Sequence, residues 1–184
     1  MRRLKELKLL VVVGTKSSGK TTVAECVISG LTKKGLRVGS IKHIHHPDFS
    51  MDREGTNTWR HARAGSRIVV AVSKSEIALI LKDDPEQMLD SVLDFMAKEE
   101  LDLVIVEGLH SSIGRRPEVF KIVTAHDDQD LRERLRDTIP PILAISGVIA
   151  QKGHTLPDVD APVLDSRAEC SKLVDLIEKK LIRK

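Results

Sequence analysis

The chain has 184 residues, of which 41% are hydrophobic and 31% are charged, and its formal net charge at neutral pH is +3. Three Phe, one Trp and no Tyr leave few rings on which nucleic-acid bases could stack, so we expect no nucleic-acid partner. No apolar stretch reaches the length of a membrane span, and no signal-peptide core precedes the first strand. We therefore expect a cytoplasmic protein without membrane association.

The hydrophobic pattern alternates between short apolar runs and helical periodicity along the whole chain. Apolar runs predict strands at 9–13, 38–42, 67–72, 76–81, 101–106, 119–123 and 142–145. Helical spacing predicts helices after residue 19, at 58–64, from residue 85, at 127–135 and from residue 166. This order predicts an α/β fold with a mostly parallel, doubly wound sheet and helices on both faces. The short polar link between 67–72 and 76–81 predicts an antiparallel hairpin.

Three finer expectations concern the helices. The helix that starts at residue 85 has an apolar stripe predicted to face the core, made of Met88, Leu89, Val92, Leu93 and Met96. The last helix begins with the sequence of residues 166–169, Ser-Arg-Ala-Glu, which fits a capping box. Cys26 and Cys170 fall in predicted helices at no metal-ligand spacing, so we interpret them as buried small hydrophobic side chains in a reducing compartment.

The segment 14–21, with the sequence GTKSSGKT, fits the phosphate-binding pattern G-x-x-x-x-G-K-[ST]. It lies between a buried strand and an amphipathic helix, which is the context that a P-loop requires. In such a loop, backbone N–H groups and the helix N-terminus hold a polyphosphate. Lys20 is expected to reach the β- and γ-phosphates. The candidate phosphate-binding residues are Gly14, Lys16, Ser17, Ser18, Gly19, Lys20, Thr21 and Thr22. We interpret 1–184 as a single P-loop nucleotide-binding domain of the P-loop NTPase fold.

A Mg²⁺ ion usually accompanies the phosphates in such a site. The Thr21 hydroxyl is expected to take one position around the ion. Glu107 ends a buried strand and is expected to place its carboxylate near the ion, directly or through water. Asp52 is a candidate for completing the set from a loop, and Asp48 could do the same. Lys20 and Glu107 are thus the candidate catalytic residues.

Histidines cluster after the second predicted strand, at His43, His45 and His46. Three interpretations stay open for them: contact with a nucleotide or another anion, solvated loop side chains, or a zinc site. Arg60, on the short helix predicted at 58–64, could complement an anionic ligand or be an exposed charge. The guanine-reading pattern N-K-x-D is absent, so the base cannot be deduced from a motif. No water-orienting Gln follows Glu107 closely, and we expect slow intrinsic hydrolysis.

Four stretches occur in order along the chain: the P-loop, the K-H-x-H-H segment at 42–46 followed by Asp52, the R-H-x-x-A-G stretch at 60–65, and V-E-G at 106–108. In these the chain resembles the molybdopterin-guanine dinucleotide biosynthesis protein B (MobB) family. It departs from that pattern at 109–110, where Leu-His replaces an aromatic residue and Lys, and at 146–147, where Ser-Gly stands in place of a frequent Asp.

The resemblance implies a GTP-binding accessory protein with weak GTPase activity. Its partner would be molybdopterin or the guanylyltransferase that joins GMP to molybdopterin, and its assembly a homodimer. The family pattern implies that residues 14–22 bind the phosphates of GTP and that Thr21, Asp52 and Glu107 lie near Mg²⁺. The 68–81 hairpin is our candidate for the contact between subunits. Two alternatives from other classes are a P-loop small-molecule kinase, with a lid carrying Arg132, Arg134 and Arg136, and a GTPase metallochaperone that uses the histidines.

Overall fold

A computed structural model describes residues 7–46, 48–152 and 160–183 of the chain. The chain divides into two compact units, one comprising Met1–His43 and Leu93–Lys184, the other Ile44–Val92. The expectation of one domain over residues 1–184 is not tested by this division and stays a prediction.

The elements of the described chain alternate between strands and helices. The strands are β1 (Leu9–Gly14), β2 (Val38–Lys42), β3 (Ile68–Val72), β4 (Ile77–Leu81), β5 (Leu103–Glu107), β6 (Phe120–Thr124) and β7 (Ile142–Ser146). The α-helices are α1 (Lys20–Lys33), α2 (Asn57–Arg63), α3 (Pro85–Lys98), α4 (Asp128–Asp137) and α5 (Cys170–Ile177). Short 3₁₀ turns lie at Ile113–Arg115 and Ile149–Lys152, and a π-helical turn, Glu178–Ile182, extends α5.

The first unit contains a five-stranded parallel sheet with strand order β2-β5-β1-β6-β7. The predicted mostly parallel sheet is confirmed. Because the strands run in one direction, their carboxyl ends meet at one edge of the sheet. Strand β1 is central, with β5 and β6 as its neighbours, so the loop after β1 lies between the ends of those two strands.

Both faces of the sheet are covered. The side chains of Leu10 through Val13 in β1 are all at most 1% exposed, although they point alternately to opposite faces. On one face, α1 and α5 pack together against the sheet in a shared hydrophobic core. The two helices approach closely at Gly30, where an added Cβ would lie 2.4 Å from Val174 Cγ2.

The second unit contains α2 and the predicted antiparallel hairpin, which is confirmed. Strands β3 and β4 pair from Ile68 opposite Leu81 to Val72 opposite Ile77. Helix α2 begins after Thr56, whose hydroxyl accepts a hydrogen bond from the Trp59 N–H at 3.3 Å. One face of the hairpin is apolar and exposed: the exposures are Ile68 51%, Val70 51%, Val72 73%, Ile77 72% and Leu79 62%.

Two expectations about helix faces and ends are wrong. Val92, predicted to face the core, is 41% exposed. Ala97, which was not part of the predicted stripe, is buried at 4% exposure. The capping box at 166–169 does not form, because α5 begins only at Cys170. Glu169 Oε2 instead accepts from the N–H of Asp165, and the buried Ser166 hydroxyl has no hydrogen-bond partner.

The cysteines are also not as expected. Cys26 in α1 and Cys170 at the start of α5 form a disulfide, with their Cα atoms 5.9 Å apart. The interpretation as two separate buried thiols is therefore wrong. The two residues are 144 positions apart in sequence, so only the packing of α1 against α5 brings them together.

None of the helices within residues 7–46, 48–152 and 160–183 is both long enough and apolar enough to cross a lipid bilayer.

Candidate phosphate-binding site

The loop between β1 and α1 curls tightly against the end of β6. A Cβ added at Gly14 would lie 2.2 Å from Thr124 Oγ1 and 2.3 Å from Thr124 O, so only glycine fits there. Ser17 adopts a left-handed backbone conformation, with φ at 61°. At the start of α1, the N-cap residue Gly19 provides no side-chain hydrogen bond to the first turn. The N–H groups of that turn thus have the arrangement that binds anions in other proteins.

Lys20 folds back over this loop. Its ammonium donates hydrogen bonds to Gly14 O, at 3.0 Å, and to Thr15 O. Burial lowers the pKa of Lys20 and is the largest influence on it. The nearby Glu107 carboxylate raises this pKa, and the nearby Lys42 ammonium lowers it further. The ammonium therefore lies against the backbone carbonyls of the loop, and its contact with the β- and γ-phosphates stays a prediction.

The buried hydroxyl of Ser18 holds the loop from inside. Ser18 Oγ lies 2.9 Å from Thr15 O and 2.7 Å from Thr124 Oγ1, and the Thr124 hydroxyl also donates to Val13 O at 3.1 Å. The Ser18 side chain is thus engaged within the protein, and its backbone N–H donates to Thr15 O at 3.4 Å. Lys16 and Ser17 are exposed, and Thr22 is half-buried in the first turn of α1.

Helix α4 and the residues before it support the loop from the side of β6. Thr15 Oγ1 donates to Asp130 Oδ2 at 2.8 Å, and the same carboxylate oxygen accepts from the His126 N–H. His126 Nε2 lies 2.8 Å from Lys16 O. Sequence reasoning missed both residues, because it predicted only a helix at 127–135 and gave the residues after β6 no role at the loop. Their place after β6, the neighbour of β1, is the signal that could have found them.

A second support comes from the end of β7. The Val148 N–H donates to Ser18 O at 3.0 Å, and a Cβ added at Gly147 would lie 2.2 Å from that same oxygen. Gly147 also adopts φ +84°, which favours glycine. The Ser-Gly pair at 146–147, noted above as a departure, therefore makes close backbone contact with the P-loop.

Three side chains meet at the carboxyl ends of β2 and β5 and the start of α1. Thr21 Oγ1 donates to Glu107 Oε1 at 2.9 Å. Lys42 Nζ lies 2.5 Å from the same carboxylate oxygen and 3.3 Å from Thr21 Oγ1. Lys42 and Glu107 are direct neighbours in the β2–β5 register. Lys42 was not among the predicted site residues, although its position at a strand end pointed to this edge.

The donor set of Thr21 and Glu107 fits Mg²⁺. The ion binds oxygens at about 2.0–2.1 Å in octahedral geometry, so neighbouring ligand oxygens lie about 3 Å apart. The hydroxyl and carboxylate oxygens here are 2.9 Å apart. Since Mg²⁺ usually takes its remaining ligands from phosphates and water, two protein oxygens are a sufficient set.

The predicted histidines divide between the two units. His43 follows β2 in the first unit; its N–H donates to Glu107 O at 2.9 Å, and its side chain lies against Gly108. His45, His46 and Arg60 are exposed in the second unit. Among the described residues, no three His, Cys, Asp or Glu side chains form a group that could hold a metal ion.

Asp52 belongs to the second unit, where it is half-buried. Its Oδ1 accepts hydrogen bonds from Thr56 Oγ1 at 2.9 Å and Thr58 Oγ1 at 2.8 Å. Its Oδ2 is buried and has no hydrogen-bond partner. A buried carboxylate oxygen without a partner is costly, and a cation or a water would satisfy it. Asp48 is exposed in the same unit.

His110, at the other departure from the family pattern, packs beside α4. Its Nε2 lies 3.4 Å from Thr138 Oγ1. Burial lowers its pKa most, nearby Arg134 lowers it further, and Asp137 opposes the shift.

Comparison with known proteins gives one consistent result. Residues 9–142 match the family described as "Molybdopterin guanine dinucleotide synthesis protein B". The chain is 33% identical over 125 residues to a molybdopterin-guanine dinucleotide biosynthesis adapter protein of Escherichia coli, a match that covers 66% of this chain and 67% of that protein. A Haemophilus influenzae protein with the same description is 35% identical over 103 residues, covering 56% of this chain and 57% of that one.

Solved structures agree in fold. The crystal structure of MobB from Bacillus subtilis superposes with a TM-score of 0.73, at 22% identity, over 97% of this chain and all of that one. A MobB homologue from Bacillus stearothermophilus gives a TM-score of 0.68, at 24% identity, over 94% of this chain and 97% of the other.

Proposed function

Because the chain belongs to the molybdopterin guanine dinucleotide synthesis protein B family, we propose that it binds GTP together with Mg²⁺ and acts as an adapter in molybdopterin-guanine dinucleotide biosynthesis. Its partner in this proposal is molybdopterin or the guanylyltransferase that joins GMP to it. The names of the relatives supply the pathway, and the geometry of the chain supplies the argument for a nucleotide.

The observation that carries the proposal is the conformation of the loop at residues 14–21. The α1 N-terminus, without a side-chain cap, and the Lys20 ammonium face this loop together. A polyphosphate would accept hydrogen bonds from the backbone donors, and Lys20 would exchange its two carbonyl acceptors for phosphate oxygens. Because the loop is held by Ser18, Asp130 and Val148, little reordering of its backbone would be required.

Thr21 and Glu107 would hold the magnesium ion that accompanies the phosphates. When bound, Mg²⁺ supplies positive charge that neutralises the β- and γ-phosphate oxygens. The carboxylate of Glu107 is 12% exposed, so its charge is only partly screened by water. The assignment of Asp52 to the ion rests on the resemblance to the family alone and stays a prediction.

The preference for guanine rests on the family alone, since the chain has no N-K-x-D motif. We assign weak GTPase activity because no glutamine that could orient the attacking water follows closely after Glu107. The kinase alternative receives little support from α4, where Arg132 and Arg136 are exposed and Arg134 pairs with Asp130 and Asp137. The metallochaperone alternative lacks a metal-binding cluster among the described residues.

The assembly that we propose is a homodimer formed through the β3–β4 hairpin. Period-two alternation puts the exposed side chains of Ile68, Val70, Val72, Ile77 and Leu79 on one face of the two paired strands. A second copy of the same face would cover this apolar surface with a complementary one.

The test is calorimetric titration of the protein with GTP and with ATP, each with Mg²⁺, in wild type and in Lys20→Ala. We expect saturable binding of GTP that is tighter than binding of ATP. The Lys20→Ala change removes a charge-assisted contact worth about 1.5–3 kcal/mol, so affinity should fall by roughly tenfold to a hundredfold.

Lys172→Met is the control, because Lys172 pairs with Glu169 on the exposed surface of α5 and should not change affinity. Equal affinity for GTP and ATP would remove the guanine assignment. Undiminished affinity in Lys20→Ala would contradict the role of that lysine, and absence of binding to either nucleotide would refute the proposal.

A further inference from the structure

Lys42 occupies the two oxygens that fit Mg²⁺. Its ammonium lies 2.5 Å from Glu107 Oε1 and 3.3 Å from Thr21 Oγ1, and these oxygens are themselves 2.9 Å apart. The three polar atoms thus form a small triangle with the ammonium at the apex. The register of β2 and β5 fixes this arrangement, because Lys42 and Glu107 are paired directly across the two strands.

An ammonium group and Mg²⁺ compete for these oxygens. Mg²⁺ would lie about 2.1 Å from Glu107 Oε1, which would leave it within a few ångströms of an ammonium bonded to the same atom. The two positive charges would repel strongly at that distance, and the Glu107 carboxylate is only 12% exposed and so weakly screened. As long as Lys42 stays at Glu107 Oε1, it therefore opposes binding of the ion.

We propose that Lys42 is a resident cation, which neutralises Glu107 in the metal-free protein and is displaced when Mg²⁺ binds with the nucleotide. This inference rests on the proposed function, since it concerns regulation of the same site. Its consequence is that the Lys42–Glu107 pair competes with the metal and raises the Mg²⁺ concentration at which the site fills. The chain would then bind nucleotide in a way that depends steeply on Mg²⁺.

The Lys42 side chain has room to move away from Glu107. The Lys42 side chain is 52% exposed, so its stem can swing without disrupting the core. Lys42 also places a second positive charge close to Lys20, and this charge contributes to the lowered pKa of Lys20. Removing Lys42 should therefore weaken nucleotide binding when Mg²⁺ is absent, while making the metal itself easier to bind. A bystander lysine would produce neither effect.

The experiment compares wild type, Lys42→Met, Lys42→Arg and Lys172→Met in two arms. In the first, GTP affinity is measured over a series of Mg²⁺ concentrations, starting with chelator alone. In the second, Mn²⁺ alone is titrated without nucleotide and followed by its electron paramagnetic resonance signal, since Mn²⁺ accepts the same oxygen ligands. Lys172→Met removes a lysine that is paired with a glutamate far from the site.

We expect Lys42→Met to lower the half-saturating metal concentration by about threefold to tenfold in both arms, the range that loss of a competing ion pair allows. Its affinity for GTP without Mg²⁺ should fall. Lys42→Arg, which keeps the charge, and Lys172→Met should both match wild type. Thermal unfolding verifies that each variant is folded.

Unchanged or higher half-saturating concentrations in Lys42→Met would overturn the inference, as would an Arg variant that behaves like the Met variant. A failure of wild type to bind GTP at any Mg²⁺ concentration would refute the proposed function instead. The Mn²⁺ arm would then still decide the role of Lys42, because it uses no nucleotide, and absence of Mn²⁺ binding in Lys42→Met would count against that role.

Discussion

His110 couples the stability of the first unit to pH. Its pKa lies below the ordinary value of 6.5, chiefly because it is buried and also because Arg134 is near. The unfolded chain therefore binds a proton on this residue at a pH where the folded chain does not. The contribution of His110 to stability is complete above about pH 6.5 and decreases as the pH falls below it.

We predict that His110→Gln reduces this acid sensitivity. Between about pH 7.5 and about pH 5.5, its free energy of unfolding should decrease less than that of wild type, by at most about 1.4 kcal/mol, because only about one unit of this range lies below pH 6.5. Urea denaturation at a series of pH values measures the difference. The matched control is His61→Gln, which changes an exposed histidine of α2 and should follow wild type. Parallel curves for His110→Gln and wild type would contradict the assignment.

Among single residues, motif spacing predicted those whose role depends on the neighbouring sequence. Lys20 and Thr21 were predicted from the loop pattern, and Glu107 from its place at a strand end; the structure brings all three together. Lys42 and Asp130 were missed because their roles depend on which strands are neighbours. No pattern along the chain states that β5 lies between β1 and β2, or that β6 lies beside β1.

At the scale of elements, the contact between the end of β7 and the P-loop is one of the tightest that an added side chain could disturb. Gly147 has Ser18 O where its Cβ would be, at 2.2 Å, and Thr124 Cβ at 2.9 Å. Both neighbours are themselves held by hydrogen bonds, Ser18 to Thr15 O and Thr124 to Val13 O. A side chain at this position would therefore push the loop out of its phosphate-binding shape.

We predict that Gly147→Ala destabilises the chain and weakens GTP binding. Gly35→Ala is a close control, since Gly35 has φ +80° against +84° for Gly147, but no atom lies within 4 Å of an added Cβ. Both changes incur the cost of a left-handed alanine, about 1–2 kcal/mol. Only Gly147→Ala should lose a further roughly 1–3 kcal/mol of unfolding free energy from overpacking, which urea denaturation measures. Only this variant should also bind GTP more weakly, which calorimetry measures. Equal losses in the two variants would show that the contact has no such effect.

Periodicity predicted whether a segment forms a helix or a strand. It did not predict the residues at which a helix begins, or which helices pack against each other. The parallel sheet and the hairpin were predicted because apolar runs and turn residues are local signals. The capping box failed because Glu169 bonds back to Asp165 rather than to Ser166. The disulfide was missed because a separation of 144 residues carries no information about how α1 and α5 pack.

For the molecule as a whole, the exposed face of the hairpin is the feature that a monomer does not explain. Burying a Val, Leu or Ile side chain is worth about 1.5–3 kcal/mol, so five such side chains provide a substantial driving force for association. Their strands pair in register, with Val70 opposite Leu79 and Val72 opposite Ile77, so the apolar face is continuous. A twofold axis through this face would let each copy cover the other.

We predict that wild type is a dimer of about twice 20.4 kDa in multi-angle light scattering at micromolar concentration, and that Leu79→Asp is a monomer. The charge would have to be buried in the interface, which is costly when it has no partner. Ala78→Asp is the control: Ala78 is exposed on the neighbouring position of β4, so alternation directs it to the opposite face and the dimer should persist. A monomeric wild type, or equal dissociation in both variants, would show that this face does not join two copies.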